Sequence, residues 1–394
     1  MAVFNPADIL LPESADMTKW SVVACDQFTS QPEYWQETAK IAADSPSTLN
    51  LVFPEAFLSE GKKRIEKINA SMKDYMEKGI FTEYKNSLFY IERTVGDKIR
   101  QGLIGTVDLE AYDFTKGAKS KIRATEGTVL ERIPPRVEIR RDAPLELPHI
   151  MLLVNDIEKT IIEPLEGMDK EELYDFELMQ NGGHIKGYKL SEKAKEHALS
   201  KIDELEKICD DGLLFAVGDG NHSLATAKTC WEEKKKTLSE AERENHPARF
   251  CLVELVNIHS PALVFEPIHR VVFGVDAEAI INDMKEKLGG TGHTVHYITA
   301  NGEGDINISK EAYELAVGAV QSYIDEKGLE VDYIHGDDVC AELGKKKNNL
   351  GILLPKPDKN DLFASVIKDG ALPRKTFSMG EANEKRYYIE AKRI

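Results

Sequence analysis

Apolar and polar positions are patterned most informatively over residues 191–231. Leu213, Leu214, Phe215, Ala216 and Val217 are apolar in a row, which predicts a fully buried strand. The run breaks at Gly218-Asp219-Gly220-Asn221, residue types that tolerate the positive φ of a tight turn. Beyond it Leu224, Ala227 and Trp231 recur at helical spacing, so a helix begins near Ser223. Upstream, Ser191 is a good N-cap and opens a helix to about Cys209, which Asp210-Asp211-Gly212 ends. Helix, strand and helix in succession are the passage of an α/β fold.

The same periodicities place other elements. Helices are predicted over 31–44, with Pro32 in the first turn, and over 60–78, where Ile65, Ile68, Met72, Tyr75 and Met76 share one face. Strands over 88–93 and 99–108 read as an antiparallel pair joined through Val95-Gly96-Asp97. Gly102 and Gly105 lie in the second of these, which calls for close backbone approach by a ligand or by another chain segment. Residues 1–30 read as irregular except for a strand over 20–24. Residues 169–180 read as a short helix closed by Asn181-Gly182-Gly183, and 184–190 as a strand. Buried strands are expected over 149–155 and 250–257. From residue 276 the texture changes to a helix over 277–288, a strand over 293–298, an acidic loop over 301–305, a helix over 309–326 and strands over 332–335 and 350–354. A basic strand over 385–392 follows. The predicted architecture is α/β with a mixed sheet: a main domain over 1–274, a smaller α/β subdomain over 275–355, and a segment 356–394 returning to the main domain.

Composition narrows the partners. A chain of 394 residues with 42% hydrophobic content is ample for a core. A net charge of −17 argues against nucleic acid and anionic membranes, though a local basic pocket for a small-molecule ligand remains open. The oligomeric state is not legible. Cys25, Cys209, Cys230, Cys251 and Cys340 show no framework spacing. With no basic segment and apolar core at the start, they read as reduced thiols of a cytoplasmic protein.

Candidate chemistry centres on the glycine turn. A strand, turn and helix aim backbone N–H groups at one point, and the helix start adds about half a positive charge, so the point favours an anion such as phosphate. Asp219 and His222 lie on that turn. The alternative is a plain strand-to-helix connection capped by its Asp and Asn. A second stretch concentrates Arg123, Arg132, Arg136, Arg140 and Arg141, suited to forked contacts with phosphate or carboxylate, or to ion pairs with Glu126, Glu131 and Glu138. Asp26 follows a buried strand and reads either as a pocket carboxylate or as a turn former.

Several of these stretches together resemble a microbial family of unknown function, DUF1015. Asp219-Gly220-Asn221-His222-Ser223 is similar to that family's Asp-Gly-His-His-Arg turn, with Asn221 for the first His and Ser223 for the Arg. Asp26 matches the acid of its Pro-Tyr-Asp segment, and Gly102 to Gly105 its Gly-Leu-Ile-Gly strand. Glu126 and Thr128 match a His-Glu-Arg-Thr segment, with Thr125 for the His; His269-Arg270 match a His-Arg pair, and Lys375-Thr376 a C-terminal Lys-Ser-Thr segment preceded by prolines. The resemblance implies a ParB/sulfiredoxin-like region that holds nucleotide phosphates, in a group that includes kinases acting on free serine. It implies ATP or ADP with Mg²⁺ on Gly218, Gly220, Asn221, His222 and Ser223. Positive charge would come from Arg123, His269, Arg270 and Lys375, with Thr376 beside it, and Asp219 or Glu126 would serve as base or Mg²⁺ ligand. The implied activity is a small-molecule phosphotransferase or phosphate-ester-handling enzyme. The missing Arg at Ser223 equally suits a nucleotide or metabolite sensor that keeps the pocket without the chemistry.

Overall fold

The structure is a computed structural model that describes residues 2–127, 133–309, 316–373 and 375–394. Its contacts divide the chain into two compact units, one of Met1–Leu263, Val366–Gly370 and Glu381–Ile394, the other of Val264–Ser365 and Ala371–Gly380. Both are mixed α/β, as the alternation of periodicities predicts. The strand Phe265–Val272 falls in the second unit, and residues 381–394 in the first.

The first unit is built on a ten-stranded mixed sheet. Its order is Lys170–Glu177, His184–Leu190, Phe89–Val95, Lys98–Asp108, Phe250–Asn257, Met151–Val154, Phe215–Asp219, Ile122–Ala124 and Tyr112–Asp113, with Phe4–Asn5 paired beside Lys98–Asp108. Both faces are covered, which is why its central strands read as continuous apolar runs. Tyr90, Leu103, Val253, Leu152 and Val217 pack on one face under the helix Glu192–Glu206 and the helix Asn221–Lys234. Phe89, Ile91, Ile104 and Leu252 pack on the other, with Trp20, Trp35, Ile68 and Met72.

The close approach expected at Gly102 and Gly105 is made by protein. A Cβ at Gly102 would meet Glu254 Oε1 at 2.7 Å, and one at Gly105 would meet Phe4 Cζ at 2.5 Å and Leu88 Cδ2 at 2.8 Å. Phe4 and Leu88 are buried, so Gly105→Ala is expected to cost about 1–3 kcal/mol by overpacking. An unchanged denaturant midpoint would show that the strand has room to shift.

Three sequence expectations are overturned. Residues 169–180 form the strand Lys170–Glu177 rather than a helix. Tyr174 and Phe176 alternate inward among the acidic residues, a period of two that acidity masked. Asn181 (φ 61°) and Gly183 (φ 79°) then serve the hairpin into His184–Leu190, not a helix end. Likewise 301–305 begins the strand Gly302–Ser309, paired with Gly292–Thr299. Residues 1–30, read as irregular, also hold the strand Ala7–Pro12 and the short helix Met17–Trp20.

The second unit has a six-stranded sheet in the order Gly302–Ser309, Gly292–Thr299, Leu350–Leu353, Phe265–Val272 and Val331–His335, with Phe377–Met379 on the start of Phe265–Val272. Its core is Val272, Ile281, Met284, Val295, Ile306, Val320, Ile324 and Ile352. The helix expected over 309–326 is described from Ala316 to Lys327; residues 310–315 lie outside the described residues.

Candidate functional site

Three segments distant in sequence meet at the C-terminal end of the strand Phe215–Asp219. The first is the glycine turn. Gly220 sits at φ 79°, and a Cβ there would also press on Ile150 Cα at 3.0 Å, so glycine is required twice over. Gly220 starts the helix Asn221–Lys234, and no side chain caps its N-terminus. The Asn221 amide instead ties the turn to the neighbouring strand: its Oδ1 accepts from the Thr125 N–H at 3.3 Å, while Thr125 Oγ1 donates to the Val217 carbonyl at 2.6 Å.

The second segment is the start of Met151–Val154. This strand runs antiparallel to Phe215–Asp219 with Met151 opposite Asp219, so His149 arrives beside the turn. The third is the pairing of Val22–Val23 with Tyr387–Tyr388, which carries Cys25, Asp26, Lys385 and Tyr388 to the same place. His149 Nδ1 lies 2.6 Å from the Tyr388 hydroxyl; its Nε2 lies 3.3 Å from Ser223 Oγ and 3.8 Å from Asp26 Oδ2. Lys385 Nζ is 3.1 Å from Asp219 Oδ2, whose Oδ1 accepts from the Gly220 N–H at 2.8 Å.

Electrostatics assign protons to this cluster. Burial pushes the Asp26 carboxyl up, but the His149 imidazole, the Gln27 amide and the Lys385 ammonium outweigh it and hold the group below the usual carboxylate range. Asp26 is therefore ionised at neutral pH, with its side chain 32% exposed. Burial, then the Asp26 charge, pushes the Cys25 thiol up to about 12, so it stays protonated and is no thiolate nucleophile. The Tyr388 hydroxyl, also raised by burial, reaches both Cys25 Sγ (3.1 Å) and His149 Nδ1. Tyr388 donates to Cys25 Sγ while its oxygen stays 2.6 Å from Nδ1, so the ring is held between Tyr388 on one side and Ser223 and Asp26 on the other. The arrangement provides an ionised carboxylate, an imidazole held in place on both ring nitrogens, a hydroxyl, an ammonium and an uncapped helix start at one spot.

Of the residues singled out from sequence, the structure brings together Asp26, Gly218, Asp219, Gly220, Asn221, His222 and Ser223, with Glu126 next to the tethered Thr125. Arg123 is not among them. Its guanidinium bonds Ser120 O (2.9 Å), Asp211 Oδ2 (2.9 Å) and Asp211 O (2.6 Å), at the opposite end of the strand, because Arg123 registers against Ala216 rather than against the turn. Arg270, His269, Lys375 and Thr376 belong to the second unit. There Arg270 is wholly buried, bonded to Gln321, Ile268 O and Lys375 O. His269 bonds Asp337 and the Leu354 N–H, and Thr376 Oγ1 donates to Pro373 O at 2.5 Å. Thr128, Glu131, Arg132 and Arg374 lie outside the described residues. All five cysteines are free thiols.

His149, Lys385 and Tyr388 are the site residues that sequence reasoning missed. A His just before a buried strand was a usable signal for the first. The other two depend on strand pairing with residues more than 350 positions away, which no local pattern carries. No described helix is long and apolar enough to cross a membrane.

The chain belongs to the family described as protein of unknown function (DUF1015), whose model matches residues 6–391. Comparison with curated proteins returns no match. Solved structures similar to it include SbnI with a C-terminal truncation from Staphylococcus aureus, at 12% identity and TM-score 0.39, covering 70% of this chain and 82% of that one. A free serine kinase variant in complex with AMP matches at 11% identity and TM-score 0.39, covering 68% and 88%. A conserved hypothetical protein from Pyrococcus furiosus matches at 12% identity and TM-score 0.33, covering 68% and 88%.

Proposed function

We propose that the protein is a small-molecule phosphotransferase whose nucleotide phosphates sit on the Asp219–His222 turn, in a ParB/sulfiredoxin-like region. The observation that carries this reading is the meeting of an ionised carboxylate, Asp26, with Lys385 and the uncapped start of the helix Asn221–Lys234. Loose phosphoryl transition states need positioning and charge neutralisation more than covalent help. The helix start and Lys385 supply the positive charge, standing in for the arginine that Ser223 replaces. Asp26 accepts the proton of the attacking hydroxyl. His149, held by Tyr388, hydrogen-bonds a phosphate oxygen or orients Asp26.

Among the described residues no three His, Cys, Asp or Glu converge on a metal position. Mg²⁺ is commonly held by one or two carboxylates plus phosphate oxygens, and Asp26, or Asp219 once Lys385 turns to phosphate, fits that role. The ion would supply further charge neutralisation.

Titration calorimetry with ATP and ADP, with and without Mg²⁺, followed by turnover with hydroxyl acceptors, tests the proposal. His222→Ala is expected to weaken nucleotide binding by about 1–3 kcal/mol, and Lys385→Met by at least as much, since it also exposes the phosphates to an unpaired Asp219. Equal affinities across wild type and both variants would reduce the turn to a strand-to-helix connection. Binding without turnover would favour a sensor, the alternative that Ser223 in place of arginine suggests.

A further inference from the structure

A cleft of about 400 Å³ opens from the candidate site. His149, Ser223, Cys25 and Tyr388 line its polar end, and they are members of the cluster described above. The walls are aliphatic: Leu51, Val52, Met72, Ile139, Leu145 and Leu147. Two arginines of the basic stretch, Arg136 and Arg140, also face it, but each is ion-paired, to Glu55 and Glu146.

We infer that this cleft holds the acceptor of the phosphoryl transfer, and that the acceptor is an alcohol with an aliphatic body rather than a small polar amino acid. The inference rests on the functional reading above and adds the substrate class. Aliphatic walls gain nothing from a zwitterion, and paired guanidinium groups leave little charge to draw its carboxylate. A purine is also poorly served. Of the cleft's two phenyl rings, Tyr388 belongs to the polar cluster, and on Phe53 the Arg64 guanidinium stacks 5.5 Å from the centroid. An aliphatic chain lying in the cleft would instead place its terminal hydroxyl against Ser223 and His149, with the Asp26 carboxylate 3.8 Å from His149 Nε2. The acceptor oxygen then bonds the γ-phosphorus of ATP as the bond to the β–γ bridging oxygen breaks. That electron pair leaves with ADP, and the hydroxyl proton passes to Asp26.

The test is binding of a 1-alkanol series, butanol to octanol, to the full chain without nucleotide, read by calorimetry or ligand-observed NMR. Affinity is expected to tighten about fourfold per methylene until the cleft is filled, with no binding of L-serine at matched concentration. Leu58→Glu, at a cleft position 47% exposed, is expected to weaken octanol about tenfold without altering the melting temperature or nucleotide affinity. Affinity independent of chain length would overturn the inference. So would competitive displacement of octanol by adenosine, which would give the cleft to the nucleoside. Nucleotide binding without alkanol binding sinks this inference alone; alkanol binding without nucleotide binding sinks the phosphotransferase reading and leaves the aliphatic pocket standing.

Discussion

Arg386→Met is expected to lower the unfolding free energy by about 3–5 kcal/mol, the usual cost of removing one partner from a buried ion pair. Arg386 binds Glu254 Oε2 at 2.8 Å and Glu390 Oε2 at 2.6 Å, and it donates to the Pro148 and Tyr387 carbonyls. Both carboxylates are wholly buried. Methionine fills the volume but, among the described residues, leaves Glu254 with Arg100, 3.5 Å away, and Glu390 with the Tyr174 hydroxyl at 2.6 Å. Arg386→Lys is expected to recover part of the loss, since one ammonium cannot span two carboxylates as a planar fork does. Denaturant titration reads both variants, and a loss below about 1 kcal/mol for the methionine variant would refute the account.

Nearby, Glu146 sets a pH dependence. Burial raises its carboxyl, but Lys392, Arg140 and the Leu252 N–H outweigh that and hold it below its ordinary value. A depressed carboxylate contributes stability that is present above its unfolded pKa of about 4.3 and lost as pH falls through the folded value. Acid titration of stability should therefore show a loss below about pH 4.3 that Glu146→Gln removes.

Asp26→Asn is expected to lower turnover by about 10²–10⁴-fold, the typical worth of a positioned general base, with nucleotide affinity changed far less. Asparagine keeps the shape and the contact with Gln27 but cannot take a proton. Because His149 and Lys385 hold Asp26 ionised, the wild-type rate should stay free of an Asp26 titration down to the acid side of the ordinary carboxylate range. Unchanged turnover in the asparagine variant would remove Asp26 from the chemistry.

The strand, glycine turn and helix were readable because each is a local pattern, and Asp26 because it follows a short apolar run. Arg123 misled for a physical reason. Its place in an arginine-rich stretch says nothing of which end of the neighbouring strand its side chain reaches, and Asp211 waits at the end far from the turn. Lys385 and Tyr388 were illegible because an antiparallel register delivers them, whereas His149 at the head of a buried strand was a signal passed over. The strand Lys170–Glu177 was hidden by its charge: acidic residues at an exposed sheet edge look like the first turn of a helix until Tyr174 and Phe176 are seen to share a face.

Residues 381–394 complete the first unit, yet they are made after the whole second unit. They supply Lys385 and Tyr388 to the site and Arg386 and Glu390 to the buried charge network. At synthesis rates of roughly 5–20 residues per second, Glu254 waits on the order of ten seconds for Arg386, the nearer of its two guanidinium partners. During that interval the carboxylate at the centre of the large sheet has Arg100 but not Arg386, and the turn has an Asp219 without its lysine. The nascent chain therefore passes through a stage at which the second unit has all its residues but the first lacks the pieces that fix its core and arm its site.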